Sequence, residues 1–511
     1  MIDNAKQNIS LTSRASWLIV AKTAAFVFGF ALPLLLVRRL SQNDFGLYKQ
    51  AFLVIGTVSG ILPLGFATSA FYFLPREREN GGAIVLNIIL FNCIVGGLAV
   101  ILFLIAPQSL VLILNSQSLV PYAGYIGLLI LLLILGSFLE VASIAHGEPR
   151  LATVFIVSTQ IFKTAMLVCA AIFFGSIQAL LVATVIWAVL QVITLVCYLR
   201  SRFGSFWSGF SWPTMRRQLA YGLPFGFSAL LYIVLTDLHN YFVSYRFGPA
   251  PFALYSIGCF SLPFVGIIGE SVGPVLISRV SELQKQSKTS EIIAITAAGM
   301  RKLAAIYFPL YALLMIVGKD FISFLFTDQY LASWPIFAIN LTTLPFLIVL
   351  ADPIIRSHAE HRFFLLKVRL LTIVVLSVGL FFGTKYFGLI GAITVMVGVN
   401  LADRLIEGAK ACHIVNVRWR DIVLLKDVGK LAVAALAAAS LTALMRMFVV
   451  GQRPFVVLVL CGLVFSAAYA FFVLTLGIPA ADEREKIRLA CGSFRQSFTR
   501  KRSLAPDLTS T

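Results

Sequence analysis

The chain has 511 residues, 59% of them hydrophobic and 12% charged, with a formal net charge of +19. Soluble domains carry roughly 25% charged residues, so composition excludes a string of soluble domains and any enzyme built on one. The apolar residues fall in runs near the ~20 residues that cross a bilayer as helix. They lack the alternation of barrel strands, and lipid leaves the helix as their remaining solution.

Taken in order, the spans of the first half are Ala15–Val37, Ala51–Leu74, Ala83–Ala106, Tyr122–Ala145, Leu151–Phe174 and Ile177–Leu199. The second half holds Leu219–Val243, Phe252–Ile277, Leu303–Val317, Trp334–Ile355, Phe363–Phe382 and Leu389–Leu401, followed by Leu431–Met445 and Phe455–Leu476. The expectation is an all-α integral membrane protein of about fourteen transmembrane helices. The first run is too long for a cleavable signal peptide and no small-residue cleavage site follows it. The seven cysteines are scattered without metal or redox spacing and read as small apolar residues. Every connection is short, and there is no P-loop, phosphate-cradling glycine loop or zinc spacing. No cofactor, metal or ATP-driven pump is expected, and the chain is read as a non-enzyme.

With an even number of spans both termini lie on one side. If that side is the cytoplasm, its segments carry 31 of the 41 lysines and arginines and the outer segments 8, with Lys22 and Lys163 inside spans. This is a positive-inside distribution, and it accounts for the basic charge as topology, with no nucleic-acid partner. The basic stretch Arg484–Arg502 is placed to touch anionic headgroups of the bilayer.

Three patterns recur in the same order. Arg39-Leu40 with Phe45-Gly46-Leu47-Tyr48 returns as Arg246-Phe247 with Phe252-Ala253-Leu254-Tyr255, an offset of 207. His146-Gly147-Glu148-Pro149-Arg150 returns as His358-Ala359-Glu360-His361-Arg362 at 212, and Phe174-Gly175 with Ala179 as Phe387-Gly388 with Ala392 at 213. A drifting but ordered offset marks a duplicated unit. The expected organisation is an N-lobe of helices 1–6 (1–203), a C-lobe of helices 7–12 (204–417), two extra helices (418–480) and a basic cytoplasmic tail (481–511). The lobes would be pseudo-symmetric six-helix bundles around a central cavity.

The end of the first span with its loop, Arg38-Arg39-Leu40-Ser41-Gln42-Asn43-Asp44-Phe45-Gly46-Leu47-Tyr48, resembles the polysaccharide (oligosaccharide-lipid) flippases of the multidrug/oligosaccharidyl-lipid/polysaccharide exporter superfamily. So do Tyr221-Gly222-Leu223-Pro224-Phe225 and Phe387-Gly388-Leu389-Ile390-Gly391-Ala392. The resemblance implies a multi-pass protein of the bacterial inner (cytoplasmic) membrane that exports an undecaprenyl-diphosphate-linked oligosaccharide by alternating access, for O-antigen, capsule or exopolysaccharide synthesis. Its implied partners are that lipid-linked oligosaccharide and other polysaccharide-assembly membrane proteins. A cation-coupled drug or small-molecule exporter of the same fold stands as the alternative, and a membrane glycan polymerase or ligase as a further one that the short loops disfavour.

Ionisable residues inside spans are costly and mark function or pairing. Lys22, Lys163, Glu270 and Asp237 are the substrate-binding candidates: the two lysines for the diphosphate, Glu270 on a bending gate helix facing the space between the lobes, and Asp237 nearer its outer mouth. Glu140 and Asp352 each stand six residues before a repeated histidine, as coupling groups or as structural ion pairs. Arg38, Arg39 and Arg246 sit at outer helix ends, where they either complement the helix dipole or meet the departing diphosphate. The loops around His146 and His358 read as structural ties between helix ends.

Overall fold

The structure is a computed structural model that describes residues 29–204 and 206–478. Every regular element among them is helical. We number the long helices α1 (the helical residues 29–39), α2 (Gln42–Ile61), α3 (Gly81–Ile105), α4 (Ala123–Ala145), α5 (Pro149–Phe173), α6 (Ile177–Phe203), α7 (Trp212–Phe247), α8 (Pro249–Gly258), α9 (Pro263–Lys285), α10 (Thr289–Phe326), α11 (Trp334–Leu341), α12 (Asp352–Ser357), α13 (Arg362–Ile414), α14 (Lys426–Phe448) and α15 (Pro454–Thr475).

Ten described helices are long and apolar enough to cross a membrane, or eleven when α2 and the short helical stretch Phe66–Phe73, bent by 41°, are taken as one span. The expected fourteen is not established by this count, and the difference has local causes. The first span lies mostly outside the described residues. The eighth is interrupted between Gly258 and Pro263, where Pro263 opens the second piece. The eleventh and twelfth are continuous as α13, with a left-handed Gly388 (φ 61°) between two arms. The Thr372 hydroxyl donates to Asp403 at 3.2 Å across 31 residues. A straight helix would hold them ~45 Å apart, so the arms run back along each other. Gly383 and Gly391 permit the approach, since a Cβ on Gly391 would stand closer than 3.0 Å to the Gly383 carbonyl.

Helix starts follow capping more closely than hydropathy. Ser41 accepts from the Asp44 amide at 3.1 Å and α2 begins at Gln42, well before the expected Ala51. A side-chain cap of this kind satisfies one of the orphan amides of the first turn. Lys49, which spans ending at Val37 and opening at Ala51 leave in an outer loop, is therefore carried into a membrane helix.

The two halves are joined by an antiparallel seam between α2, with its bent continuation, and α7. Gly46 meets the Pro249 backbone at one end. Gln50 donates to Ser244 at 2.8 Å and Thr57 to Asp237 at 2.6 Å. Further along, Gly226 of α7 lies against the Leu64 carbonyl, at a bend where Leu64 (φ 48°) and Gly65 (φ 66°) are both left-handed. At the far end Tyr72 stacks on Tyr221 with centroids 4.8 Å apart, and Gln218 donates to Ser69 at 3.2 Å. The repeated motif meets its copy here. Phe45, Tyr48, Phe252 and Tyr255 are all buried, on helices that touch at Gly46 and Pro249.

The seam ends in an ion pair, Arg217 to Glu77, with two nitrogen–oxygen distances of 2.8 and 3.0 Å. The hydrogen bond from Arg217 holds the Glu77 carboxyl below its ordinary value of 4.5. A lowered folded-state pKa contributes stability above the unfolded value, lost as pH falls through the folded one. The melting temperature of wild type should exceed that of Glu77→Gln at pH 7 by a margin worth ~1 kcal/mol or less, since the arginine is exposed. That margin should vanish as the pH is taken below the usual carboxylate range. A constant margin down to strong acid would show that the carboxylate charge is not what holds the two halves.

Candidate functional site

The described bundle contains a charged cavity of about 590 Å³ whose lining residues all come from the second half of the chain. Tyr232, Thr236, His239 and Asn240 recur at helical spacing on one face of α7. Cys259 and Ser261 come from the break between α8 and α9, Asn340 from the last turn of α11 and Thr343 from the interrupted stretch after it. Irregular backbone is tolerated at membrane depth where it lines a water-filled cavity, and both interruptions do so here.

Six charges face this space: Arg369 on the outgoing arm of α13, Asp403, Arg404 and Glu407 on its return arm, and Asp352 and Arg356 on α12. Three guanidinium groups balance three carboxylates. Asp352 and Arg356 pair at 2.7 Å, one helical turn apart, and Asp403 also accepts from Thr372. Arg369 and Glu407 each lie seven residues from an end of α13, so the cluster sits about 10 Å into the helices. His239 donates or accepts at 2.9 Å with the Tyr255 hydroxyl, tying the repeated motif to the cavity wall. An array of this kind can bind a polar or anionic group by charge and hydrogen bonding without being expensive to hold, because its members compensate one another.

A smaller cavity of about 310 Å³ lies where the two halves meet, lined by Gly29, Phe30 and Pro33, by Phe45 and Lys49 of α2, by Gln160 of α5, and by Ser256, Phe260 and Ser261. Lys49 is half-buried with its ammonium 5.6 Å from the Phe45 ring. The amide of Gln160 reaches this space one turn from Lys163, whose ammonium lies 4.7 Å from the Trp187 ring. Cation–ring contacts partly replace the water a lysine loses on burial.

The sequence candidates are placed unevenly. Asp352 lines the charged cavity. Asp237 instead accepts from Thr57 in the seam, on the α7 face that carries Ile233 and Tyr241. Lys163 rests on Trp187 within the first half. Glu140 is half-buried in the interior of α4, whereas Asp352 opens a short helix after a break, so their local settings differ. Glu270 lies in α9, and Lys22 lies outside the described residues. Arg38 donates to the Leu34 carbonyl at 2.7 Å and to the Phe324 carbonyl at 2.6 Å, which is the role of a cation at helix C-termini. Arg39 and Arg246 are exposed. In the first repeated loop Glu148 holds Tyr198 at 2.9 Å and Arg202 at 2.9 Å, a tie between helix ends.

Sequence reasoning missed Lys49, Arg356, Arg369, Asp403, Arg404 and Glu407. The signal for the last three was present: Asn400, Asp403, Arg404 and Glu407 fall at i, i+3, i+4 and i+7, one face of a helix. It was hidden by ending the span at Leu401.

Comparison with known proteins places these features. The sequence model of the family described as polysaccharide biosynthesis protein matches residues 35–335. No curated protein matches the chain significantly. Among solved structures it is similar to the lipid II flippase MurJ in an inward closed conformation, with a TM-score of 0.69 and 14% identity over 90% of this chain and 98% of that one. It is also similar to a Vibrio cholerae MATE transporter, with a TM-score of 0.54 and 16% identity over 82% and 97%. An inward-facing multidrug resistance MATE family transporter of the MOP superfamily gives 0.53 and 16% over 80% and 95%. At these identities the likeness is one of fold: all-α, multi-pass, and built as these transporters are.

Proposed function

Since the chain belongs to the polysaccharide biosynthesis protein family, with a charged cavity inside a membrane bundle, we propose that it moves an undecaprenyl-diphosphate-linked oligosaccharide from the inner to the outer leaflet. The cavity carries this reading. A glycan with many hydroxyls and a diphosphate cannot enter hydrocarbon, and a space bordered by three arginines and three acids offers it a replacement for water. The prenyl tail stays in lipid. Residues 1–203 and 204–417 act as two lobes that open alternately, in the bacterial cytoplasmic membrane with both termini on the cytoplasmic side. No bond is made or broken, so the protein is a transporter rather than an enzyme.

Lys163 and Lys22, with Lys49 added from the structure, supply positive charge for the diphosphate as it passes between the lobes. Glu270 and the seam residue Asp237 belong to the moving contacts, Glu140 and Asp352 to the groups that couple or brace them, and Arg39 and Arg246 to the outer mouth. Lys49 is supported by its position on a cavity lined from both halves, and Lys22 by sharing an apolar sequence run with Gly29, which lines that cavity too.

The test is surface glycan in a strain lacking its own flippase, read beside membrane levels of each variant. Lys49→Gln and Lys163→Gln should lower export about tenfold or more, the worth of a hydrogen bond to a charged group at ~1.5–3 kcal/mol. The corresponding arginine variants should recover most of it, because charge is the needed property. Wild-type export from both glutamine variants would remove these lysines from the site. Drug resistance without glycan export would favour the small-molecule exporter instead.

A further inference from the structure

A third cavity, of about 280 Å³, lies against the adjoining face of the α13 return arm, with Arg404 common to its wall and that of the charged one. Its lining is hydrocarbon almost throughout, as with Met300, Leu350, Ile354 and Leu405. One side is closed by the linker Trp419–Leu425, a 3-10 helix. Three residues per turn put Trp419, Ile422 and Leu425 on one edge. Ile422 and Leu425 line the groove, while Trp419 at the end of that edge is 89% exposed.

The linker is built for the headgroup layer. Val423 and Leu424 are exposed apolar residues, and Arg418, Arg420 and Lys426 are exposed cations around them. Asp421, the acid among them, accepts from the Arg418 amide at 2.7 Å. The next helix opens with Lys426, Asp427 and Lys430 before its apolar run, which sets the level of the linker at the membrane boundary. A tryptophan and arginines at that level mark an interfacial segment.

We propose that this groove holds an acyl chain of an anionic phospholipid, with the lipid phosphate over Arg418, Arg420 and Lys426. Charge complementarity selects the occupant. A zwitterionic lipid gains the hydrocarbon contact alone, and an open apolar groove in water is unfavourable. The site lies on the side that the lysine and arginine distribution assigns to the cytoplasm, so the lipid is drawn from the inner leaflet, into a groove that borders the charged cavity at Arg404.

Cys412 lines the groove and is exposed, which makes it a reporter. The full chain, with its other cysteines replaced, is held in neutral detergent and Cys412 is labelled with a maleimide. Phosphatidylglycerol should slow labelling at least about fivefold and phosphatidylcholine less than about twofold. Arg418→Gln and Arg420→Gln, both at exposed positions, should each weaken the phosphatidylglycerol effect about fivefold, the worth of one cation at an anionic surface. Equal protection by the two phospholipids would overturn the proposal, as would undiminished protection in the double variant. Protection by undecaprenyl phosphate but not by phosphatidylglycerol would overturn it too, and assign the groove to the prenyl chain.

Discussion

Gly226→Ala should lose most of its folded population in detergent, while Gly56→Ala keeps all of it. Both glycines lie in helices of the seam. A Cβ at Gly226 would stand well under 3.0 Å from the Leu64 carbonyl, carbon and Cα, whereas one at Gly56 meets nothing within 4 Å. The atoms that would have to move at Gly226 are backbone on both sides, at a bend already holding two left-handed residues, so no flexible side chain can absorb the overlap. Overpacking commonly costs ~1–3 kcal/mol and more where nothing can yield, and about 3 kcal/mol or more is expected here. At Gly56 alanine gains helix propensity of up to ~1 kcal/mol. The measurement is the thermal melt of each variant with its yield from membranes. Equal melting temperatures would mean that α7 and the bent end of the second span do not touch in the resting protein. Gly46→Ala, against Pro249 at the other end, should behave as Gly226→Ala does.

Reversing one charge in the cavity should abolish export without abolishing folding. Arg404→Glu turns three arginines and three acids into two and four, beside Asp403 and Glu407 on the same helical face. An anionic diphosphate would then meet net repulsion where it met balance, and export should fall at least about a hundredfold, the range for a lost charge-assisted contact plus a new like-charge one. Breaking a fully buried pair costs ~3–5 kcal/mol; Arg404 is half-buried and opens on the cavity, so the stability loss should be well below that. Arg404→Lys should keep intermediate export, because lysine restores charge but not the planar two-pronged donor. Wild-type surface glycan from Arg404→Glu at equal membrane level would reduce the cluster to a brace between helices.

Much of the architecture was legible because bilayer physics is local. An apolar run must be a helix wherever it lies, so the cores of α3 to α6 and of α15 fell close to the expected places. The boundaries slipped where polar residues belong to helices. Lys49 precedes the run that hydropathy opens at Ala51, yet Ser41 and Asp44 had already started the helix. Arg404 and Glu407 follow Leu401, and helical spacing, not hydropathy, carried their meaning.

By itself the sequence determined helical class, short loops, the duplicated Phe-Gly-Leu-Tyr and Phe-Ala-Leu-Tyr segments, and the family resemblance that the match over residues 35–335 bears out. Each of these depends on neighbours in the chain or on composition. Only the tertiary structure decided which polar groups meet. Thr57 and Asp237 are 180 residues apart, Gln50 and Ser244 are 194 apart, and the cavity charges come from a short helix and two arms of a hairpin. The reason is that a lone acid or lysine in a membrane helix has several ways to be satisfied, by water, by an aromatic ring, by a hydroxyl or by an opposite charge. Which one it takes is set by how the helices pack, and that rests on shapes such as Gly226 against Leu64 that no local pattern encodes.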